Sequence, residues 1–172
     1  MTRLKLFLIV MIGVTFAMMT NSFRAQAHDI TSGSLTINHP WSRPTIGNAP
    51  NSAAYLKITN RGGRPDTLMG VKSDVAKRVE LHMVKMDDGV MRMRAAKDGV
   101  TVPANGSVEL KPGGVHIMLM GLSRKLTAGQ MFDLTLQFKH QGAVPIQVKV
   151  KKMGSMGGNT MKDGNMHSGH GQ

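Results

Sequence analysis

Between positions 81 and 120 the chain sets imidazoles and thioethers close together: His82 with Met83, then Met91 with Met93, then His116 with Met118, and it has no cysteine anywhere. Imidazole beside thioether is the donor set that holds Cu(I) when thiolates are absent, because donor softness and geometry, more than raw affinity, select the metal. Methionine also fills gaps in cores, and a strand-borne histidine is often an ordinary surface or interior group. Two His-plus-Met pairs, a third Met-rich strand and the absence of thiolate together favour a site over filler.

These side chains need elements that turn them to one side. From Ser34 to about Val150 the sequence alternates with a period near two and is interrupted roughly every 8 to 12 residues by Gly, Pro, Asn or Asp, the pattern of an all-β sandwich or barrel. Strands are expected over 35–38, 53–59, 67–71, 78–84, 90–94, 108–110, 115–120, 131–138 and 144–150, with a turn over 73–76. Alternation over 131–138 puts Phe132, Leu134, Leu136 and Phe138 on one face, which reads as core. Over 115–120 it puts Val115, Ile117 and Leu119 on one face and His116, Met118 and Met120 on the other. Met91 and Met93 share a side opposite Arg92 and Arg94. His82 shares a side with Arg78, Glu80 and Val84, away from Val79, Leu81 and Met83, which suits a rim position. Lys111-Pro112-Gly113-Gly114 reads as the turn that launches the His116 strand, and Asp87-Asp88-Gly89 as a hairpin turn between Met86 and Val90.

The ends differ in character. Residues 1–27 read as a secretory signal peptide: Arg3 and Lys5 precede an apolar run over 6–19, and Ala25-Gln26-Ala27 matches a small-residue cleavage site. That run is short against the ~20 residues that span a bilayer, so cleavage after Ala27 and no stable membrane insertion are expected. Residues 28–150 then form one domain. Residues 151–172 hold Met153, Met156, Met161, Met166, His167 and His170 among glycines, too little apolar surface to offset ordering, and read as a flexible tail with auxiliary copper-binding capacity, as Cu(I) or Cu(II). Cleavage would leave His28 with a free amino group beside its imidazole, a pair able to chelate Cu(II). His39 and His140 have no Met neighbour at site spacing and read as structural or surface residues.

Composition removes several classes. Loss of Arg3, Lys5 and Arg24 with no acid lowers the formal charge from +12 to +9, still basic. Nucleic-acid binders add aromatic platforms or a recognition motif to such charge, and at 4% aromatics this chain has neither. The basic surface is read as solvated and complementary to an acidic partner. Without cysteine, disulfides, CxxC redox chemistry and thiolate metal sites are excluded. No catalytic triad, carboxylate pair or phosphate-cradling loop is present; Gly62-Gly63 and Gly113-Gly114 are turn glycines.

Val79-Glu80-Leu81-His82, Gly89-Val90-Met91-Arg92-Met93-Arg94, and Leu110 to Gly114 running into His116-Ile117-Met118-Leu119-Met120-Gly121-Leu122 closely resemble the PCu(A)C family of periplasmic copper chaperones. The resemblance extends through His39-Pro40-Trp41, Ala54-Tyr55 and Ile58-Thr59-Asn60, covering most of residues 30–150. It implies a cupredoxin-like β-sandwich with Greek-key-type strands. It also implies Cu(I) held by His82, Met93, His116 and Met118, with Met83 and Met91 as nearby candidates. The protein would be a non-enzymatic, monomeric carrier that delivers copper to the copper subunit of cytochrome c oxidase or to a thiol-bearing copper assembly factor. The alternatives are copper sequestration or resistance, a copper oxidase or monooxygenase using His28, and a metal-free adhesion sandwich. Soft donors suit a carrier, whereas an oxidase wants nitrogen ligands and an open coordination position.

Overall fold

The computed structural model describes residues 29–152 and Gly154. Among these there are eleven strands and no helix: β1 (Ile30–Ser32), β2 (Leu35–Ser42), β3 (Asn51–Asn60), β4 (Asp66–Lys72), β5 (Ala76–Asp87), β6 (Val90–Ala95), β7 (Val100–Val102), β8 (Gly106–Leu110), β9 (His116–Leu122), β10 (Met131–Phe138) and β11 (Gly142–Val150). They are hydrogen-bonded in the order β6-β5-β9-β3-β2-β11-β10-β4-β7, with β1 added to β2 and β8 to β3. Every pairing is antiparallel except β2 with β11, which run parallel through Trp41 and Ser42. The β3 strand joins two halves: its residues 56–60 pair with β8 and its residues 51–54 with β9.

Alternation builds the core as the sequence predicts. In β10, Phe132, Leu134, Leu136 and Phe138 are buried, and they meet Val148, Ile146 and Val144 of β11 in cross-strand register. Leu35, Ile37, Ile58, Leu68, Ile117 and Leu119 complete the same cluster from β2, β3, β4 and β9. Full burial of each such side chain contributes about 1.5–3 kcal/mol.

Two turns matter for the site. Asp88 and Gly89 both have positive φ (50° and 77°), the two-residue turn that matches strand twist, and it closes β5 on β6 with Asp87 opposite Val90. Gly114 N donates to Lys111 O at 3.1 Å, and Gly113 has φ 77°, so Pro112-Gly113 occupy the centre of a type II turn.

Departures from the expected strands have local causes. The three-residue β1 and β7 are too short to show a period and were not expected. The strand expected to end at Asn38 continues to Ser42 through a bulge between Asn38 and Trp41, with His39 at φ 48°. Pro40 is tolerated there because a bulge does not need its missing N–H.

Candidate metal centre

The type II turn ends where β9 begins, and it fixes His116. The imidazole Nδ1 donates to Gly114 O at 3.0 Å, so the ring carries its proton on Nδ1 and leaves the Nε2 lone pair for a ligand. Antiparallel pairing of β9 with β5 places His82 directly across from His116, Glu80 from Met118 and Arg78 from Met120. The two imidazole centroids are 6.0 Å apart. With metal–nitrogen bonds of about 2 Å, that spacing leaves room for one ion between the rings.

His82 is oriented in the same manner by a different partner. Its Nε2 donates to Glu80 Oε2 at 2.9 Å, while its Nδ1 is buried and has no hydrogen-bond partner among the described residues. A buried, unpaired nitrogen is costly unless something occupies it. The hydrogen bond from His82 holds the Glu80 carboxyl below the usual carboxylate range, and Arg78, whose Nε is 3.1 Å from Glu80 Oε1, adds to the effect. Glu80 therefore remains an acceptor.

The thioethers come from two strands on the same side of the sheet. Met118 follows His116 by two residues and lies between Glu80 of β5 and Ala53 of β3. Met93 on β6 sits across from Val84, which shares its face with His82. Met93, His116 and Met118 line one cavity of about 420 Å³, together with Tyr55, Val84 and Pro112. Tyr55 stands against His116 with centroids 6.4 Å apart and against Trp41 at 4.5 Å. Arg43 lies over the Tyr55 ring and Lys151 over the Trp41 ring. Burial raises the Tyr55 pKa despite Arg43, so the phenol stays neutral.

The four expected ligands thus lie on one sheet face, but they do not form a uniformly shallow rim. His116 is 5% exposed and the His82 side chain 15%, whereas Met93 is 53% exposed. The gradient follows from strand position: β9 is flanked by β5 and β3, while β6 is an edge strand. Met83 points to the opposite face and packs against the core. Met91 shares the face of Met93, two cross-strand pairs nearer the hairpin turn, opposite Met86. Met120 is on the ligand face of β9, but its sulfur accepts from Arg78 Nη2 at 3.4 Å. His39 and His140 are exposed. Among the described residues no three His, Cys, Asp or Glu side chains gather as a metal site, so any centre here depends on methionine. His28, Met153, Met156, Met161, Met166, His167 and His170 lie outside the described residues.

The partners Glu80 and Gly114 were not anticipated as orienting groups. Strand parity did place Glu80 beside His82; the Gly114 carbonyl has no side-chain signal.

A family model described as "Putative lipoprotein LpqE-like" matches residues 35–150. The chain belongs to the LpqE-like family. This LpqE-like protein is 38% identical over 100 residues to "Putative lipoprotein Lxx21020" of Leifsonia xyli subsp. xyli, a match that covers 58% of this chain and 60% of that protein. It therefore spans less than two thirds of that relative's length. It is 32% identical over 130 residues to "Uncharacterized protein RP573" of Rickettsia prowazekii, covering 73% of this chain and 72% of the other. Among solved structures it is similar to the "Copper-bound PCuAC domain from PmoF2", with a TM-score of 0.62, 28% identity, and coverage of 73% of this chain and 99% of that one. It is also similar to the solution structure of CuI-DR1885 from Deinococcus radiodurans, with a TM-score of 0.53, 27% identity, and coverage of 76% and 85%. The cupredoxin-like sandwich expected from the sequence is the fold of these PCuAC domains. No helix among the described residues is long and apolar enough to cross a membrane, and a family described as lipoproteins fits an exported protein.

Proposed function

We propose that this LpqE-like protein is a periplasmic carrier of Cu(I), exported by a signal peptide cleaved after Ala27, that binds the ion through His82, Met93, His116 and Met118. The observation that carries this reading is the facing pair His82 and His116. Each has one nitrogen committed to a protein acceptor and the other left for a ligand, and they stand beside thioethers in a chain without thiolate. The copper-bound state of the similar PCuAC domains supports the same metal.

Neutral nitrogen and thioether donors suit Cu(I) better than hard cations. Arg43, Arg78 and Lys151 around the site favour a singly charged ion over Cu(II), since repulsion scales with ionic charge. Four protein donors leave no open position for substrate, which favours carriage over catalysis. The exposure of Met93 favours delivery over storage, because an acceptor can replace that ligand first. An acceptor with thiolates takes the ion downhill, so the copper subunit of cytochrome c oxidase or a thiol-bearing copper assembly factor is the proposed destination. The Met and His residues of the tail, and His28, are proposed to add weaker copper capacity.

Anaerobic titration of the mature protein with Cu(I) against a competing chelator tests this. One tight equivalent is expected, weakened by more than about 100-fold in His116→Ala and in Met118→Ala, beyond the 10–100-fold that loss of an outer-shell partner costs. Wild-type affinity retained in both variants would overturn the site. The same titration on a chain ending at Lys152 reads the share of the tail as missing weak equivalents.

A further inference from the structure

The hairpin that contributes Met93 carries two more thioethers that the proposed centre does not use. Met86 on β5 and Met91 on β6 are cross-strand partners, and Met93 is the next residue of β6 on that face. Their exposures are 67%, 68% and 53%. Directly opposed side chains have Cβ atoms about 4.5–5.5 Å apart and diagonal ones about 7–8 Å. Three flexible methionine side chains at those spacings can bring their sulfurs to one point.

Two further observations separate this cluster from ordinary apolar surface. Among the described residues no methionine belongs to the fully buried core, which is Leu, Ile, Val, Phe, Ala and Tyr; Met83 packs against that core from a half-buried position, whereas Met86, Met91 and Met93 stand exposed. The charged residues of the hairpin are turned away: Arg92 and Arg94 lie on the other face, where both reach Asp87, at 3.6 and 2.8 Å. The methionine face is thus left to soft donors.

We propose that Met86, Met91 and Met93 form a second, thioether-only Cu(I) site at the hairpin tip, through which the ion enters the centre described above. Its existence does not depend on that centre; its role as an entry port rests on that reading. Met93 belongs to both sites, so copper passes inward by ligand exchange. The bonds to the Met86 and Met91 sulfurs break, bonds to the His82 and His116 nitrogens and the Met118 sulfur form, and the bond to Met93 persists. The ion stays Cu(I) throughout, and no electron or proton is transferred. Exposed thioethers without an imidazole bind more weakly than the deeper set, which gives the exchange its direction.

The test uses the full mature chain with its methionine methyl groups labelled with carbon-13, so that each methionine, those of the tail included, is read separately. In a His116→Gln/Met118→Leu variant, which removes the deeper centre while keeping side-chain volume, anaerobic Cu(I) should shift the Met86, Met91 and Met93 methyl signals along one isotherm. Adding Met86→Leu and Met91→Leu should weaken binding at Met93 by more than about 100-fold, above the cost of losing an outer partner. Met86 and Met91 signals that stay fixed through one equivalent would overturn the site. On the otherwise wild-type chain, Met86→Leu/Met91→Leu should keep the equilibrium affinity of the deeper centre and slow Cu(I) uptake from a chelator donor. Uptake at the wild-type rate would show that leucine serves as well as methionine, making the patch a contact surface and overturning the port. Failure of the deeper centre is read independently, as unchanged affinity in the single His116→Ala and Met118→Ala variants.

Discussion

The hairpins β5–β6 and β10–β11 are both antiparallel pairs with period-two alternation, yet they use it for opposite ends. In β11 alternate residues from Val144 to Val150 are buried, and β10 answers them with Phe132, Leu134, Leu136 and Phe138. That pair is covered on both sides by neighbours, β4 beyond β10 and β2 beyond β11. All six residues of β6 are exposed, and among the described residues β5 is its sole neighbour. The same alternation therefore encodes a packed face in one hairpin and an exposed, thioether-bearing face in the other. Residue type decides between them: aliphatic and aromatic side chains where water is excluded, methionine where sulfur is presented.

The contrast breaks most visibly in the packed hairpin. Leu136 is 0% exposed, and Leu136→Ala is expected to cost about 2–5 kcal/mol, the range for a buried leucine that leaves a cavity. Chemical denaturation reads this directly. A loss below about 1 kcal/mol, typical of an unremarkable site, would mean that β10–β11 is not the structural half.

A smaller effect is expected at Asp66, which ties the β10–β11 turn to β4 by accepting from the backbone N–H groups of His140, Gln141 and Thr67 at 2.9, 2.9 and 2.7 Å. Burial alone would raise its pKa, but those three hydrogen bonds outweigh it and hold the carboxyl below its ordinary value. The folded state thus binds the proton less readily than the unfolded chain. The stabilisation is full above the ordinary carboxylate range and is lost as pH falls through the depressed value. Asp66→Asn should cost about 1–3 kcal/mol near neutral pH, the penalty for a buried donor left unmatched. It should also flatten the acid limb of the stability profile. Denaturation midpoints at pH 7 and pH 3 compare the two, and an equal acid loss in variant and wild type would remove Asp66 from the account.

Much of this architecture was legible because both hairpins show their parity, and β5–β6 announces its turn at Asp87-Asp88-Gly89. Leu134 and Leu136 could be assigned to the core, and His116 and Met118 to a common face, from alternation alone. The pairing of β5 with β9 was not readable in the same way: it joins residues more than thirty positions apart, and nothing local in His82 states that His116 will stand across from it. The burial of His116 was missed for the same reason, since it depends on β5 and β3 flanking β9. The strand expected over 35–38 was too short, because the chain passes a bulge at His39-Pro40 and continues to Ser42. Parity likewise allowed both Met91 and Met93 as ligands. The resemblance to PCu(A)C proteins chose Met93; the cavity is lined by Met93, His116 and Met118, and by neither Met91 nor His82.

The smallest expected effect on stability is the most discriminating for the hairpin that presents donors. Met93→Leu keeps size and apolarity on an edge strand with no buried residue, so the folded state should change by no more than about 0.5 kcal/mol. Cu(I) affinity should nevertheless fall by at least about tenfold, the lower bound for disturbing a metal site. Chemical denaturation and chelator competition on the same sample separate the two quantities. A stability loss above about 1 kcal/mol would show that Met93 packs as a core residue does, erasing the difference between the hairpins. Unchanged affinity would show that its apolar surface, not its sulfur, is what the position requires. If stability holds and affinity falls, the methionine stands at an exposed position because only its thioether serves there, which an aliphatic side chain at Leu136 never has to do.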